Sequence, residues 1–216
     1  MSARAHLLED TDSSPDTSRQ SDEKRRQILE GARQVFLADG FDGASMNDIA
    51  RVAGVSKGTL YVYFSSKEAL FAALIRDERR QQAEQVSQLD FSATDVRASL
   101  YAYGVALVGI MTRPDVVAQV RIVIAVAPKF PEIGRAFYES GPLHGRDKLA
   151  AFLLSQAQAE RLVIADTKLA ATHFIQLCQG ETQKQMMFGI ASALSRSEIE
   201  ATVSAAVTVF MKAYGP

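Results

Sequence analysis

Apolar residues recur at helical spacing along most of the chain, and residues 24–39 give the first clear example. Their apolar positions lie three or four residues apart, which places them on one face of a helix: Ile28, Leu29, Ala32, Val35 and Phe36. Gly40 follows and is predicted to end this helix. Alternating β-branched runs bounded by turns are missing from the sequence, so the pattern predicts an all-α protein.

Residues 45–64, SMNDIARVAGVSKGTLYVYF, predict two short helices that meet at a tight turn. Ser45 is a candidate N-cap of the first helix, with Asp48 three residues later, as in a capping box. Gly54 suits the turn because glycine adopts a positive φ without steric cost. Ser56 is the candidate N-cap of the second helix. Two helices joined in this way are typical of a helix-turn-helix, whose second helix enters the major groove of DNA.

The second of these helices is predicted to turn a DNA-binding face outward. Leu60 and Phe64 lie one turn apart and are expected to face the core, which leaves these residues outside: Lys57, Gly58, Thr59, Tyr61 and Tyr63. Lysine and phenol hydroxyls can hold phosphates, threonine can reach a base edge, and glycine lets the backbone approach closely. The pattern alone leaves an alternative open, which is an ordinary helical hairpin with a polar face.

The flanking residues extend this pattern over residues 24–75. The run ILEGARQVFLADGFDGASMNDIARVAGVSKGTLYVYFSSKEALFAALI closely resembles the DNA-binding domain of the TetR/AcrR family of bacterial transcriptional regulators. Ser65 stands where many family members carry proline, and we expect no change of function from it. The resemblance, together with the basic residues nearby, predicts these DNA contacts: Lys24, Arg25, Ser45, Met46, Ser56, Lys57, Gly58, Thr59, Tyr61, Tyr63 and Lys67.

The rest of the chain predicts a linking helix and a C-terminal helical domain. Residues 66–89 begin apolar and end polar, which suggests a helix that bridges two domains. We therefore divide the chain into a disordered tail, a helix-turn-helix domain and a dimerisation and ligand-binding domain, at residues 1–20, 21–83 and 84–216. Later helices are predicted over residues 94–112, 115–126, 131–139, 143–161 and 166–188, and a last helix begins at a capping box formed by Ser197 and Glu200. The helix over 115–126 is apolar on all sides and is therefore expected to be buried. A break is predicted at Gly141-Pro142 and an interruption at Gly180.

The resemblance also implies a partner and an effector. Family members pair through their last two long helices, and a homodimer would space two recognition helices about 34–36 Å apart on a palindromic operator. The alternative is that these helix faces form internal core. A small-molecule pocket is implied among the central helices, with these candidate lining residues, for each of which ordinary core packing is the alternative: Tyr101, Tyr103, Met111, Phe137, Tyr138, Phe152, His173 and Phe174.

Charge and composition limit the classes of function that the sequence allows. The net charge is −1, but residues 19–67 hold eight Lys or Arg against six Asp or Glu, so affinity should come from a few aligned contacts. One cysteine, Cys178, excludes an intramolecular disulfide framework and fits a reducing cytoplasm.

No P-loop, GxSxG or HExxH motif occurs, and the three histidines lack metal-ligand spacing. We therefore expect no enzyme, no cofactor and no metal. We also expect no signal peptide and no membrane span.

These observations predict a sequence-specific DNA-binding transcriptional regulator. Following the resemblance, it would be a repressor that a small, largely apolar ligand releases from its operator. Two alternatives stay open: a DNA-binding activator, and a helical protein-interaction module without an inducer.

Overall fold

The computed structural model describes residues 15–87 and 95–216, and these form helices without any β-strand among them. The all-α prediction is confirmed. The elements are α1 (Pro15–Gly43), α2 (Met46–Val52), α3 (Lys57–Tyr63), α4 (Lys67–Ser87), α5 (Val96–Met111), α6 (Pro114–Val126), α7 (Pro131–Tyr138), a π-helical turn (Glu139–Leu143), α8 (His144–Gln158), α9 (Thr167–Met187) and α10 (Arg196–Tyr214).

The first helix is longer than the periodic pattern predicted. It begins at Pro15, so the prediction of a disordered tail is wrong for residues 15–20, while residues 1–14 lie outside the described part. Proline is compatible with the first turn of a helix because the N–H it lacks has no intrahelical partner there. At Gly40 the backbone leaves helical geometry with φ 70°, as the predicted helix end requires.

One apolar core joins α1–α4 to parts of α6 and α7. The rings of Phe36, Phe41 and Phe71 pack at its centre, with centroids 4.7 to 5.8 Å apart. Val123 of α6 and Ile133 of α7 belong to the same buried cluster. The core of the N-terminal half therefore extends past the predicted boundary near residue 83.

A second apolar core lies between α5, α8, α9 and α10. A Cβ on Gly104 would come within 2.6 Å of Val203 Cγ1, so α5 and α10 pack in close contact. Cys178 is buried in this core, and its burial raises the pKa of the thiol to about 12. The thiol is therefore protonated and unreactive at neutral pH.

Three predictions about the C-terminal helices are wrong. The chain does not break at Gly141-Pro142, since the π-helical turn carries Pro142 and leads directly into α8. The capping box of α10 is formed by Ser195 and Glu198, two residues before the predicted pair, which has the same spacing and residue types. The helix α6 is not buried on all sides, because Ile124 is 60% exposed. The interruption at Gly180 is confirmed by its φ of 43°.

The contact between Gly31 and Ala53 gives a stability prediction. A Cβ on Gly31 would lie 2.6 Å from Ala53 Cβ and 2.7 Å from its Cα and N, so the backbone after α2 would have to move. We expect Gly31→Ala to lower the free energy of unfolding by about 1–3 kcal/mol, measured by thermal unfolding.

The matched control is Gly109→Ala on α5, where nothing lies within 4 Å of the added Cβ. Because alanine favours a helix over glycine, this variant should be as stable as the parent protein or about 0.5–1 kcal/mol more stable. Equal unfolding temperatures for the two variants would contradict the steric argument.

Candidate nucleic-acid interface

The helix α2 begins at Ser45, whose hydroxyl has two partners in the first turn. Its Oγ accepts from the backbone N–H of Asp48 at 3.1 Å and donates to the Asp48 carboxylate at 2.6 Å. Hydrogen bonds from Ser45 and then from Arg51 hold the pKa of Asp48 below its usual value. A carboxylate at this end also interacts favourably with the helix dipole, so the start of α2 is fixed locally.

The turn between α2 and α3 is held by α1. Gly54 has a φ of 64°, which confirms it as the turn glycine. The amide of Gln27 donates to the carbonyl of Ala53 at 2.6 Å, and Gly31 allows the close approach of α1 to the same residue. These contacts set the angle at which α3 leaves the domain.

The N-terminus of α3 is capped by Ser56 and is open to solvent. Ser56 Oγ accepts from the backbone N–H of Thr59 at 3.0 Å, and the two hydroxyls lie 2.7 Å apart. Lys57 and Gly58 are exposed. A Cβ on Gly58 would meet only Ser56 Oγ, at 3.8 Å, so packing within the chain does not require glycine at this position.

The remaining surface of α3 is aromatic and aliphatic. Tyr61 is 45% exposed, while Tyr63 is half-buried with its hydroxyl 3.5 Å from Ser21 Oγ on α1. Val62 is 83% exposed, and the sequence prediction left it out. The signal was present, because Val62 lies two residues after the inward-facing Leu60, on the opposite side of the helix.

The predicted cations differ in how freely they could meet a phosphate. Lys24 donates to Gln27 Oε1 at 2.9 Å on the surface, and the Arg25 guanidinium lies 5.7 Å from the Phe64 ring centroid. Lys67 Nζ donates to the carbonyls of Phe41 at 2.7 Å and Ala44 at 2.9 Å. Two of its three N–H groups therefore tie the start of α4 to the segment before α2.

Met46 is also less free than the prediction assumed. It is half-buried and packs against the first core. Met46 and Lys67 thus also hold the start of α2 and the start of α4 to the rest of the domain.

Comparison with known proteins decides the family. Residues 28–74 match the family described as "Bacterial regulatory proteins, tetR family", and residues 98–216 match the "AefR-like transcriptional repressor, C-terminal domain". The second match alone covers more than half of the chain. The chain belongs to the TetR family. Regulators of this family bind DNA and act as dimers.

Solved TetR-family structures resemble the chain over most of its length. A regulator from Mesorhizobium loti is 28% identical with a TM-score of 0.86, and it covers 91% of this chain and 99% of its own. The flavonoid-responsive regulator FrrA is 35% identical with a TM-score of 0.75, over 90% of this chain and 98% of its own.

Curated TetR-family relatives match over part of the chain. The repressor AcnR of Corynebacterium diphtheriae is 40% identical over 65 residues, which is 30% of this chain and 34% of AcnR. The activator FasR of Mycolicibacterium smegmatis is 35% identical in an alignment 117 positions long that covers 47% of this chain and 53% of FasR. The alignments thus span about a third to a half of these relatives.

The predicted pocket residues are spread over several places in this TetR-family fold. Tyr103, Phe152 and Phe174 lie in the second core, with Tyr101 packed against it. The Tyr103 hydroxyl donates to the carbonyl of Gly145 at 3.2 Å.

The other four candidates lie apart from that group. Met111, at the end of α5, accepts a hydrogen bond on its sulfur from Gln179 of α9. Phe137 packs against the first core and Tyr138 is 52% exposed. His173 lies on the outer face of α9, with Nδ1 2.6 Å from the hydroxyl of Tyr214. The eight residues are therefore divided between the two cores and the surface.

A polar network lies where the two halves of the chain meet, and the sequence prediction missed it. The guanidinium of Arg79, only 7% exposed, lies over the Phe137 ring at 4.9 Å and donates to Gln119 Oε1. The Gln119 amide in turn donates to the carboxylate of Glu78. Arg33 of α1 lies 3.2 Å from Glu78 Oε1 and 2.9 Å from Asp115 Oδ2 of α6.

An open groove runs along the outer faces of α9 and α10. Its volume is about 560 Å³, and its lining is mainly apolar: His173, Gln176, Leu177, Val209, Phe210, Ala213 and Tyr214. Val209 is 50% exposed and Leu177 37%.

Neither a membrane-spanning helix nor a metal-binding cluster occurs among the described residues. No helix in residues 15–87 and 95–216 combines the length and hydropathy that a membrane span requires. Within the same residues, no cluster of three or more His, Cys, Asp or Glu side chains could hold a metal ion.

The different surroundings of Lys57 and Lys67 give a prediction about DNA binding. Lys57→Ala removes an exposed cation, so it should weaken binding and reduce the dependence of log K on log salt by about 0.9 for each phosphate that the variant no longer neutralises. Its thermal unfolding should be unchanged. An unchanged salt dependence would remove Lys57 from the phosphate contacts.

Lys67→Ala serves as the comparison. It leaves the carbonyls of Phe41 and Ala44 without their donor, so we expect a loss of about 1–3 kcal/mol in the free energy of unfolding. Wild-type thermal stability in this variant would show that the two carbonyl contacts do not support the domain.

Proposed function

We propose that this TetR-family regulator is a sequence-specific repressor that acts as a homodimer on a palindromic operator. The observation that carries the proposal is the surface of α3, where an exposed lysine, an exposed glycine and two tyrosines follow a capped N-terminus. Side chains of these types bind phosphates and base edges in a major groove. Because its partner is DNA, the protein would work in the cytoplasm.

Repression is favoured over activation by the curated relatives. AcnR, which is 40% identical over 65 residues, is named a repressor. Activation stays as the second candidate, because FasR is named an activator and its alignment extends over 117 positions. Steric exclusion of the polymerase is the mechanism that repression implies.

The groove on α9 and α10 supports a dimer through these two helices. Val209 and Leu177 are apolar and open to solvent there, while neighbouring Ala213 lets a second helix come close. A two-fold dimer buries the same patch of both protomers. Dimerisation also doubles the few DNA contacts that one α3 can make.

Val209→Arg tests this interface. A guanidinium placed in an apolar interface loses hydration without a partner, so we expect the variant to be a monomer with a wild-type helical circular dichroism spectrum. Sedimentation velocity would measure the oligomeric state. Ala38→Arg, on the exposed side of α1, is the matched control and should stay dimeric. If Val209→Arg is also a dimer, the groove on α9 and α10 is not the dimer interface.

The proposed effector is a small, largely apolar aromatic compound. Small apolar ligands bind in pockets lined by apolar and aromatic side chains with a few polar groups. The name of FrrA, "Flavonoid-responsive Regulator", supports flavonoids as the first class to test, since FrrA is 35% identical over 90% of this chain.

Binding to DNA is tested by a salt titration with the DNA upstream of the protein's own gene and with scrambled DNA of equal length. We expect a preference of about 10³-fold or more for the upstream fragment, at two chains or a multiple per site. Equal, weak binding to both fragments would contradict an operator at this position.

The same fragment then serves to test the effector. Adding a flavonoid such as naringenin should weaken operator binding by a coupling of about 1–3 kcal/mol, while decanoate, an apolar compound without a ring, serves as the control. If both leave the affinity unchanged, the flavonoid proposal fails while the DNA-binding proposal stands.

A further inference from the structure

Val62 is the most exposed residue among the large hydrophobic side chains of the described residues, at 83%. Single exposed apolar residues are normal on protein surfaces, so exposure alone does not assign a role. Its location does, because Val62 lies in the last turn of α3, the helix proposed to enter the major groove.

The geometry of α3 places Val62 on the ridge that faces away from the core. Leu60 is 0% exposed and marks the inner side of the helix. Each residue advances the helix by about 100°, so Gly58 and Val62 both lie about 200° from Leu60, one turn apart on the outer side. Tyr61 lies on the flank and is correspondingly less exposed, at 45%.

The ridge formed by Gly58 and Val62 carries no polar side-chain atom. Gly58 has no side chain, so the isopropyl group of Val62 is the only side chain on this ridge, and it is 83% exposed. Valine contributes little to an exposed helix by propensity, and Val62 does not belong to either core. Neither helix stability nor packing within the chain therefore accounts for a branched aliphatic residue at this position.

In the major groove the one apolar group on a base edge is the C5-methyl of thymine. We propose that Val62 packs against a thymine methyl in each operator half-site and makes α3 select a T·A pair there. The inference rests on the proposed DNA-binding function and adds to it a residue that specifies sequence. Lys57 and the tyrosines, in contrast, can bind phosphates of any sequence.

The test uses the full-length protein and an operator selected from a random duplex library. Each thymine of the selected site is then replaced singly by deoxyuridine, which removes the methyl and keeps the base pairing. One thymine per half-site should be sensitive, and its replacement should weaken binding by about fourfold per half-site, or about fifteenfold in both, from the transfer free energy of one methyl group.

Val62→Ala completes the cycle. This variant should unfold at the wild-type temperature, bind the thymine operator less tightly by a similar factor, and no longer distinguish thymine from deoxyuridine at the sensitive position. The matched control is Val163→Ala, on the connection between α8 and α9, where the valine is 69% exposed. It should keep the full sensitivity to deoxyuridine.

The possible failures are distinguishable. If the selection enriches no sequence, the proposed function is wrong, and the inference about Val62 with it. If an operator is found but no thymine is sensitive, or Val62→Ala keeps the wild-type sensitivity, sequence-specific binding stands and the contact between Val62 and thymine is overturned.

Discussion

The buried guanidinium of Arg79 is the interaction on which the arrangement of the two halves depends. A charge removed from water is costly unless it is paired, and burial lowers the pKa of Arg79 to about 10, although Glu78 opposes this shift. The residue is therefore charged at neutral pH. Its Nε has no hydrogen-bond partner among the described residues, so its stabilisation comes from Gln119, the Phe137 ring and the neighbouring carboxylate.

These partners lie on different helices, so the network fixes their relative positions. Gln119 is suited to its place because its carbonyl accepts from a cation while its amide donates to an anion. Desolvation raises the pKa of Glu78, against the effect of Gln119 and Arg33. Moving α6 or α7 relative to α4 would leave a buried charge without its partner. The network thus links α6 and α7 to the DNA-binding half.

The features that the sequence predicted well are those in which the interacting residues lie close together along the chain. The caps at Ser45 and Ser56 each join residues that are three positions apart. The turn at Gly54 requires only a positive φ at that one residue. The helix-turn-helix could therefore be derived from a short motif. A local pattern was misleading where it occurred twice. Before α10, both Ser195 and Ser197 are followed three residues later by a glutamate, and only Ser195 forms the capping box.

Contacts between distant residues could not be predicted from periodicity. Lys67 is one example, because the two carbonyls to which its ammonium donates lie 26 and 23 residues away. Arg79 and Gln119 are 40 residues apart, and they meet because α4 and α6 both pack against α1 and α7. Val62 was left out of the predicted outward face for a different reason. The residues of that face were selected because their side chains suit DNA, and the angle of each residue from the buried Leu60 was not used.

The central claim is that two copies of α3 read successive major grooves of one operator. Hydroxyl-radical footprinting of the selected operator, bound by the full-length protein, tests it most directly. The account predicts two equivalent protected segments, related by the dyad of the site and centred about 10–10.5 base pairs apart, or a multiple of that spacing. Protection of one segment only, or weak protection without a dyad, would contradict it.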